Sequence, residues 1–262
     1  MLLVIDIGNT NTVIGIYRSK TLVESWRLMS SHARTVDEFW IVAKLLCNDA
    51  GINTGDIKGV IIGSVVPDLT NSFIKMSQKY LSVEPVIVEH SLNLGLKFLV
   101  REPKQLGADR ICNAVAAKKM YTTPLIVVDL GTATTFDVLD KKGDYIGGAI
   151  SPGLLTGSLE LIRKASQLHQ IDLTYPDNII GKTTKEHLQS GIFVGHIAMI
   201  EGLVSRIKKE FANDPVMVIA TGGYSQELKK HTPNIDVANP NLTLEGLYLI
   251  YEMNRNWITS KQ

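Results

Sequence analysis

Apolar and polar residues alternate in short blocks along the first third of the chain. Three consecutive blocks have the length and composition of strands joined by tight turns, namely Leu2–Ile7, Thr12–Tyr17 and Leu22–Leu28. A helix is predicted from Thr35, because the letters TVDE form a capping box ahead of apolar residues at helical spacing. The strand GVIIGSVV, a helix beginning at Pro67 and the strand PVIVE follow. The predicted order is β-β-β-α-β-α-β.

The second half repeats this order. LIVVDLGTATTFDVL and GDYIGGAI read as strands, and a helix after Pro152 and a long helix from about Thr184 to Phe211 follow. The strand PVMVIA, a short helix, the strand IDVAN and a terminal helix complete the pattern. Aligning the two halves gives five identities: Leu2, Val4, Asp6, Gly8 and Thr12 match Leu125, Val127, Asp129, Gly131 and Thr135. We interpret this as a duplicated α/β unit with domains at residues 1–120 and 121–262, divided near Met120–Pro124.

Composition narrows the class of protein. Apolar residues make up 45% and charged residues 20% of the 262 residues, as in ordinary globular proteins. The formal net charge is +1 and no basic stretch is studded with aromatics, so a nucleic-acid partner is not expected. Cys47 and Cys112 form no CxxC pair, which favours reduced thiols in a cytoplasmic protein. Asp6 interrupts the first apolar block, so we expect no signal peptide, and no apolar run reaches the roughly 18–20 residues of a membrane span.

The two aligned segments carry the candidate chemistry. In each, an apolar strand ends in Asp-x-Gly and turns directly into a second strand rich in Thr. Glycine lets the backbone N–H groups of such a bend approach phosphate oxygens, and the aspartate can hold a cation or water beside them. A single copy would be read as a plain hairpin turn, because turns use the same residues. Two copies in matched positions favour a ligand-binding function.

A third glycine-rich point is VIATGGYSQEL, from Val218 to Leu228, where a strand meets a helix. It is either a nucleotide contact or an ordinary βα turn, and the letters alone do not separate the two. The sequence has no GxxxxGK[ST] and no GxGxxG, which excludes the P-loop class and the dinucleotide fingerprint.

One further carboxylate lies between the halves. Asp109 in KQLGADRICNAVAAKKM falls in the first turn of a predicted helix. Aspartates there are commonly caps or partners of the helix dipole, so the residue alone does not indicate catalysis.

Four motifs in this order and spacing resemble type III pantothenate kinases: DIGNT at Asp6, GADR at Gly107, DLGTATT at Asp129 and ATGG at Ala220. The resemblance covers essentially the whole chain. It implies the acetate and sugar kinase, Hsp70 and actin superfamily, that is, an α/β fold of duplicated ribonuclease-H-like domains with mixed five-stranded sheets and a central nucleotide cleft. It also implies transfer of the ATP γ-phosphoryl group to pantothenate, the first step of coenzyme A biosynthesis.

The resemblance assigns roles to individual residues. Asp109 would be the proton acceptor, within a pantothenate pocket formed by Gly107, Ala108, Asp109 and Arg110 and completed by Thr184. Asp129 would hold K⁺ or NH₄⁺, and Asp6 would lie near Mg²⁺. The expected ATP contacts are Asp6, Ile7, Gly8, Asn9, Thr10, Asn11, Thr12, Val13 and Thr132. Val100 departs from the family, in which many relatives carry Tyr, so we do not count it as a polar contact.

Two other functions remain open at this point. A regulatory protein without catalysis is one, although it need not retain Asp6, Asp109 and Asp129 together. A polyphosphatase or sugar kinase of the same superfamily is the other, and it would lack GADR. Family members are homodimers, and the apolar surface of the Thr184–Phe211 helix leads us to expect a twofold dimer through it.

Overall fold

The computed structural model describes residues 1–165, 168–169, 171–212 and 214–255. Two compact units divide the chain: Met1–Lys119 with Leu242–Gln262, and Met120–Asn241. The first division therefore falls next to the one drawn from the sequence. The last helix, however, belongs to the first unit, where it packs on two strands of that unit's sheet. Chain order alone had placed this helix with residues 121–262.

The helices and strands follow the predicted order closely. In chain order they are β1 (Leu2–Ile7), β2 (Asn11–Arg18), β3 (Thr21–Met29), α1 (Val36–Asp49), β4 (Gly59–Ser64), α2 (Pro67–Met76), β5 (Val86–Ile87), α3 (Ala108–Met120), β6 (Leu125–Leu130), β7 (Ala133–Leu139), β8 (Tyr145–Pro152), α4 (Leu154–Lys164), α5 (Thr184–Gln189), α6 (Gly195–Lys209), β9 (Met217–Gly222), α7 (Ser225–Lys229), β10 (Val237–Ala238) and α8 (Leu242–Met253).

The sheet of the first unit has the strand order β3-β2-β1-β4-β5. The pairs β1–β2 and β2–β3 are antiparallel, whereas β4 and β5 run parallel to β1, so the sheet is mixed. The predicted capping box at Thr35 is present: its side chain accepts from the Glu38 amide, and the Glu38 side chain accepts in return from the Thr35 amide.

Each face of this sheet carries its own core. On one face, Phe39 of α1 meets Phe73 of α2 with ring centroids 4.6 Å apart. The other face packs against α3 and α8, where Cys112 and Leu247 are fully buried. A Cβ at Gly246 would lie 2.1 Å from the Cys112 carbonyl oxygen, so a side chain there would force α8 away from α3.

The sheet of the second unit repeats the topology of the first, with the order β10-β9-β6-β7-β8. Again two antiparallel pairs, β6–β7 and β7–β8, adjoin two parallel ones, β6–β9 and β9–β10. The predicted fold class, α/β with two mixed five-stranded sheets, is confirmed. In this scheme β1 corresponds to β6, and β4 corresponds to β9.

The long helix predicted from Thr184 consists of three consecutive helical segments. A π-helical turn, Ser190–Val194, joins α5 to α6, and α6 ends at Lys209. The span Thr184–Lys209 is 26 residues long with a mean hydropathy of 1.3, so by length and composition it could cross a membrane, which the sequence had not led us to expect. This is weak evidence, because core helices pass the same test. Ile197, Ile200 and Val204 pack into the core of the second unit.

Candidate functional site

The bend between β1 and β2 is held by its own backbone and by one serine from β3's end. The Gly8 amide donates to the Asn11 carbonyl at 3.0 Å, closing the turn. The Ser30 hydroxyl donates to the Gly8 carbonyl at 2.7 Å, and its oxygen lies 2.9 Å from the Thr12 hydroxyl. The Ser30 amide also donates to the Thr10 carbonyl. The predicted phosphate loop is therefore fixed by Ser30, a residue that the sequence reading missed.

The residues expected to contact ATP in this loop differ in their exposure to solvent. Asn9 and Thr10 are exposed, and Gly8, Asn11 and Val13 are partly exposed. Ile7 and Thr12 are completely buried, so neither residue offers exposed surface to a ligand. Asp6 is partly exposed and pairs in register with Gly63 of β4.

The first unit brings Asp6 and Asp109 to the same thiol. Cys112 is fully buried in α3, and burial is the largest cause that raises its pKa well above the usual value. The negative charges of Asp6 and Asp109 raise the pKa of Cys112 further. Gly63, which pairs in register with Asp6, faces the same helix, since a Cβ there would lie 3.6 Å from Cys112 Sγ and 3.7 Å from the Cβ of Ala108, the residue before Asp109. The first loop and the predicted proton acceptor therefore lie in one region.

Asp109 lies in the first turn of α3, as predicted. Its Oδ1 accepts from the Arg110 backbone amide at 2.8 Å, and a Cβ at Gly107 would lie 2.4 Å from the same oxygen. Gly107 is thus the residue that lets the carboxylate fold back over the start of the helix. Within the part of the chain that the structure describes, the Asp109 Oδ2 has no hydrogen-bond partner, so one oxygen holds the helix start and the other remains available.

The bend between β6 and β7 is tighter and is braced by α4. The Gly131 amide donates to the Ala133 carbonyl at 3.0 Å. The Thr132 carbonyl accepts from the Gly153 amide at 3.1 Å and from the Thr156 hydroxyl at 2.6 Å. A Cβ at Gly153 would lie 2.3 Å from the Gly131 carbonyl oxygen, so α4 can begin there only with glycine. Thr132, the predicted ATP contact, is exposed.

The ATGG motif lies directly beside Asp129. Thr221 of β9 pairs in register with Asp129 of β6, and both strands end at the next residues. Gly222 has φ +86°, and a Cβ there would lie 2.6 Å from the Leu130 carbonyl oxygen and 2.8 Å from Asp129 Oδ1. The glycine is therefore required for the carboxylate to lie against the β9 backbone.

Thr184 is the first residue of α5 and is exposed. The preceding Thr183 caps the helix by accepting from the Glu186 amide at 3.3 Å. Thr184 belongs to the second unit, whereas Gly107–Arg110 belong to the first. Val100 is partly exposed.

The candidate ligands for a metal ion are single carboxylates. The described residues contain no group of three or more His, Cys, Asp or Glu side chains that could hold an ion. Single carboxylates at Asp6 and Asp129 nevertheless suit hard cations, and Mg²⁺ is usually bound by one or two carboxylates together with substrate phosphates. The donor set therefore fits ions that arrive with a nucleotide.

His196 lies on α6 and is partly exposed. Its Nε2 lies 3.0 Å from the Thr134 hydroxyl on β7, and burial lowers the pKa of His196. The histidine thus links α6 to the strand that follows the second loop.

Comparisons with known proteins agree with these observations. The family model described as Type III pantothenate kinase matches residues 2–206. A protein of that name from Halalkalibacterium halodurans is 43% identical over 254 residues, covering 97% of this chain and all of the relative. One from Bacillus cytotoxicus is 40% identical, covering 97% of each chain.

Solved structures share the fold at low identity. A putative Baf family transcriptional activator from Campylobacter jejuni gives a TM-score of 0.62 at 20% identity, covering 97% of this chain and 99% of its own. MreB 5 of Spiroplasma citri bound to AMPPNP gives 0.55 at 10% identity, covering 100% and 98%. The activator of 2-hydroxyisocaproyl-CoA dehydratase from Clostridium difficile, with bound ADPNP, gives 0.52 at 12% identity, covering 99% and 97%. These neighbours establish an actin-like ATPase fold.

Proposed function

Because the chain belongs to the type III pantothenate kinase family, we propose that it transfers the γ-phosphoryl group of ATP to pantothenate, giving 4′-phosphopantothenate in the first step of coenzyme A biosynthesis. The observation that carries this proposal is geometric: Gly63, the register partner of Asp6, lies against Cys112 and Ala108 of α3, and Ala108 directly precedes Asp109. A phosphate loop and a potential base for the acceptor hydroxyl have to be close neighbours in a kinase.

Asp109 accepts the proton of the primary hydroxyl of pantothenate. The Arg110 amide fixes Oδ1, which leaves Oδ2 to face the substrate. General base catalysis of this kind contributes typically about 10²–10⁴-fold to the rate. In the first unit Gly107, Ala108 and Arg110 line the pantothenate pocket. Thr184 of the second unit is proposed separately as a substrate-binding residue. The guanidinium of Arg110 suits the substrate carboxylate, since its planar fork can form two parallel hydrogen bonds.

Each loop binds ATP phosphates through its exposed residues. Within residues 6–13 these are Asn9, Thr10 and the partly exposed Asn11, and in the β6–β7 bend it is Thr132. Phosphoryl transfer depends mainly on positioning and on neutralising charge, and fixed amides need no reorganisation during the reaction. Mg²⁺, when bound, would neutralise phosphate charge, with Asp6 holding it directly or through water.

Asp129 takes a monovalent cation, K⁺ or NH₄⁺. A carboxylate beside a polyphosphate suffers like-charge repulsion unless a cation lies between them. We expect turnover to need K⁺ or NH₄⁺ in addition to Mg²⁺, and Asp129→Ala to remove both that dependence and most activity. Full turnover of the unchanged chain in sodium-only buffer with Mg²⁺ would rule this out.

The assembly is a twofold homodimer formed through the second unit. Ile197 and Ile200 of α6 are buried in the core of their own unit, so these two residues cannot form the interface expected from the sequence. Leu155 and Leu159 of α4 are 44% and 49% exposed and are available for a contact between copies. Apolar surface of this kind favours a contact between copies. Sedimentation at micromolar concentration should give a dimer, and a stable active monomer would refute the assembly.

Cys47 and Cys112 are both buried and free, which supports a cytoplasmic location.

The test of the proposed function is identification of the product. The purified chain is incubated with ATP, Mg²⁺, K⁺ and pantothenate, and the phosphorylated product is identified by mass spectrometry. Glucose and inorganic polyphosphate serve as competing substrates for the superfamily alternatives. Phosphorylated pantothenate supports the proposal, and phosphorylation of the sugar alone would replace it.

A further inference from the structure

A buried hydroxyl without a hydrogen bond lies at the candidate site. Among the described residues, four buried side-chain atoms have no hydrogen-bond partner: Tyr17 Oη, Arg34 Nη1, His90 Nε2 and Thr221 Oγ1. Of these, only Thr221 adjoins a carboxylate to which the proposed function gives a role. Thr221 is 1% exposed, so its hydroxyl is shielded from bulk solvent.

The sheet fixes Thr221 next to Asp129. The two residues are partners in the parallel β6–β9 ladder, and side chains at paired positions project from the same face of a sheet. The Asp129 carboxylate leans toward β9, as its Oδ1 lies only 2.8 Å from the point that a Cβ of Gly222 would occupy. The carboxylate and the hydroxyl therefore occupy neighbouring positions at the end of two strands.

The hydroxyl is not a requirement of this type of sheet. In the first unit, Asp6 occupies the position that Asp129 has in the second, and its partner on β4 is Gly63. A Cβ at Gly63 would approach Leu247 to 3.1 Å, so α8 takes the space there. The second unit instead places an oxygen beside its carboxylate.

We propose that Thr221 supplies a neutral oxygen ligand to the monovalent cation held at Asp129, an inference that rests on the proposed function. One carboxylate and one hydroxyl give the site a single negative charge, which matches K⁺ or NH₄⁺ better than a divalent ion. Leaving a buried hydroxyl unpaired is costly, and a bound cation restores the lost interaction. Thr221 thereby helps to determine which ion the site accepts.

The experiment measures K⁺ binding in two ways. The chain is saturated with Mg²⁺ and a non-hydrolysable ATP analogue, and K⁺ is titrated at constant ionic strength while the melting temperature is recorded. Turnover with ATP and pantothenate gives a second half-saturating K⁺ concentration. The variants are Thr221→Val, which keeps the shape without the hydroxyl, Thr221→Ser, which retains it, and Thr221→Ala in case valine prevents folding.

Thr232→Val is the matched control. The Thr232 hydroxyl donates to Glu201 at 2.6 Å and accepts from the Asn234 amide at 3.2 Å, in the same unit as Thr221 but outside β9. This variant should melt at a lower temperature with an unchanged K⁺ requirement. Thr221→Val, which removes an unpaired hydroxyl, should melt no lower than the unchanged chain when K⁺ is absent.

We expect Thr221→Val and Thr221→Ala to raise the half-saturating K⁺ concentration about 10-fold in both measurements, and Thr221→Ser to restore it. An unchanged K⁺ concentration in the valine and alanine variants would overturn the inference, as would the lack of any K⁺-dependent shift in the unchanged chain. If K⁺ stabilises the chain through Thr221 but pantothenate is not phosphorylated, the proposed function fails while the cation ligand stands.

Discussion

The β1–β2 bend and the β6–β7 bend are copies of one structure that differ in how they are braced. The first bend is closed by a hydrogen bond from the Gly8 amide to the Asn11 carbonyl and is held by the Ser30 side chain. The second is closed by a hydrogen bond from the Gly131 amide to the Ala133 carbonyl and is held by the start of α4. Each therefore has an aspartate and an amide-rich turn at the same topological point, with different neighbours around them.

The neighbours of the two aspartates differ. Asp6 pairs in register with Gly63, which lies against α3 beside Ala108, so under the proposed function the first unit would provide the base for the acceptor hydroxyl. Asp129 lies beside Thr221 and Gly222, so under the same proposal the second unit would provide a place for a cation. The proposed specialisation is proton transfer at the first bend and charge compensation at the second.

The largest loss of activity is expected from substituting Asp109, the proposed base of the first unit. Asp109→Asn keeps the helix start but removes the basic oxygen, so kcat for pantothenate phosphorylation should fall by about 10²-fold or more. Folding and ATP binding should hardly change, because Asn keeps the side-chain oxygen that accepts from the Arg110 amide. Asp109→Ala should also lose about 1 kcal/mol of stability.

The measurements for Asp109 are kcat and a thermal melt for each variant. Near-normal turnover in the Asn variant would reduce Asp109 to a helix cap. The proton acceptor would then have to be sought at Asp6 or Asp129, and the proposed specialisation of the two bends would fail.

Gly222→Ala should destabilise the second unit strongly. Its φ of +86° is unfavourable for alanine, and the new Cβ would meet the Leu130 carbonyl oxygen at 2.6 Å. We expect a loss of about 2–3 kcal/mol in the free energy of unfolding. Gly223→Ala is the matched control, since nothing lies within 4 Å of its Cβ. Equal denaturant midpoints for the two variants would show that Asp129 does not depend on the close approach of β9.

The two turn glycines give a direct contrast between the bends. A Cβ at Gly8 would lie 3.0 Å from the Asn11 carbonyl oxygen, whereas at Gly131 the nearest atom is 3.7 Å away, an ordinary contact. Gly8→Ala should therefore cost about 1 kcal/mol of stability and Gly131→Ala less. Chemical denaturation of both variants checks the order, and the reverse order would contradict the geometry given for the two turns.

The smallest effect concerns His196. Burial lowers its pKa in the folded state, so the unfolded chain binds its proton more readily, and stability is lost as pH falls below the unfolded value of about 6.5. His196→Gln, which cannot be protonated, should lose less of its melting temperature between neutral pH and pH 5 than the unchanged chain. An identical pH dependence of the two melts would show that His196 does not contribute.

The sequence predicted the parts of the fold that local patterns encode. Short apolar blocks bounded by turn residues located the strands, TVDE located the start of α1, and the repeated Asp-x-Gly identified both bends. It did not reveal Ser30, because this serine is 22 residues from Gly8 and only strand pairing brings them together. Nor did it place Thr221 beside Asp129, since that depends on the β6–β9 register.

The sequence did not predict which sheet α8 packs against, for a similar reason. Its apolar residues show that the helix is buried but not which sheet it covers. The decisive feature is the contact of Gly246 with Cys112 of α3, a residue far away in the chain. Patterns in a sequence thus report local structure, while the partners of each surface depend on long-range packing.

The central claim is that the chain is a kinase whose acceptor is pantothenate. The most direct measurement is the rate of ADP formation by the purified chain in K⁺ and Mg²⁺, with and without pantothenate. The account predicts that ADP forms at a substantial rate only when pantothenate is present. Equal ADP formation without pantothenate would contradict it and would identify an ATPase or phosphatase instead.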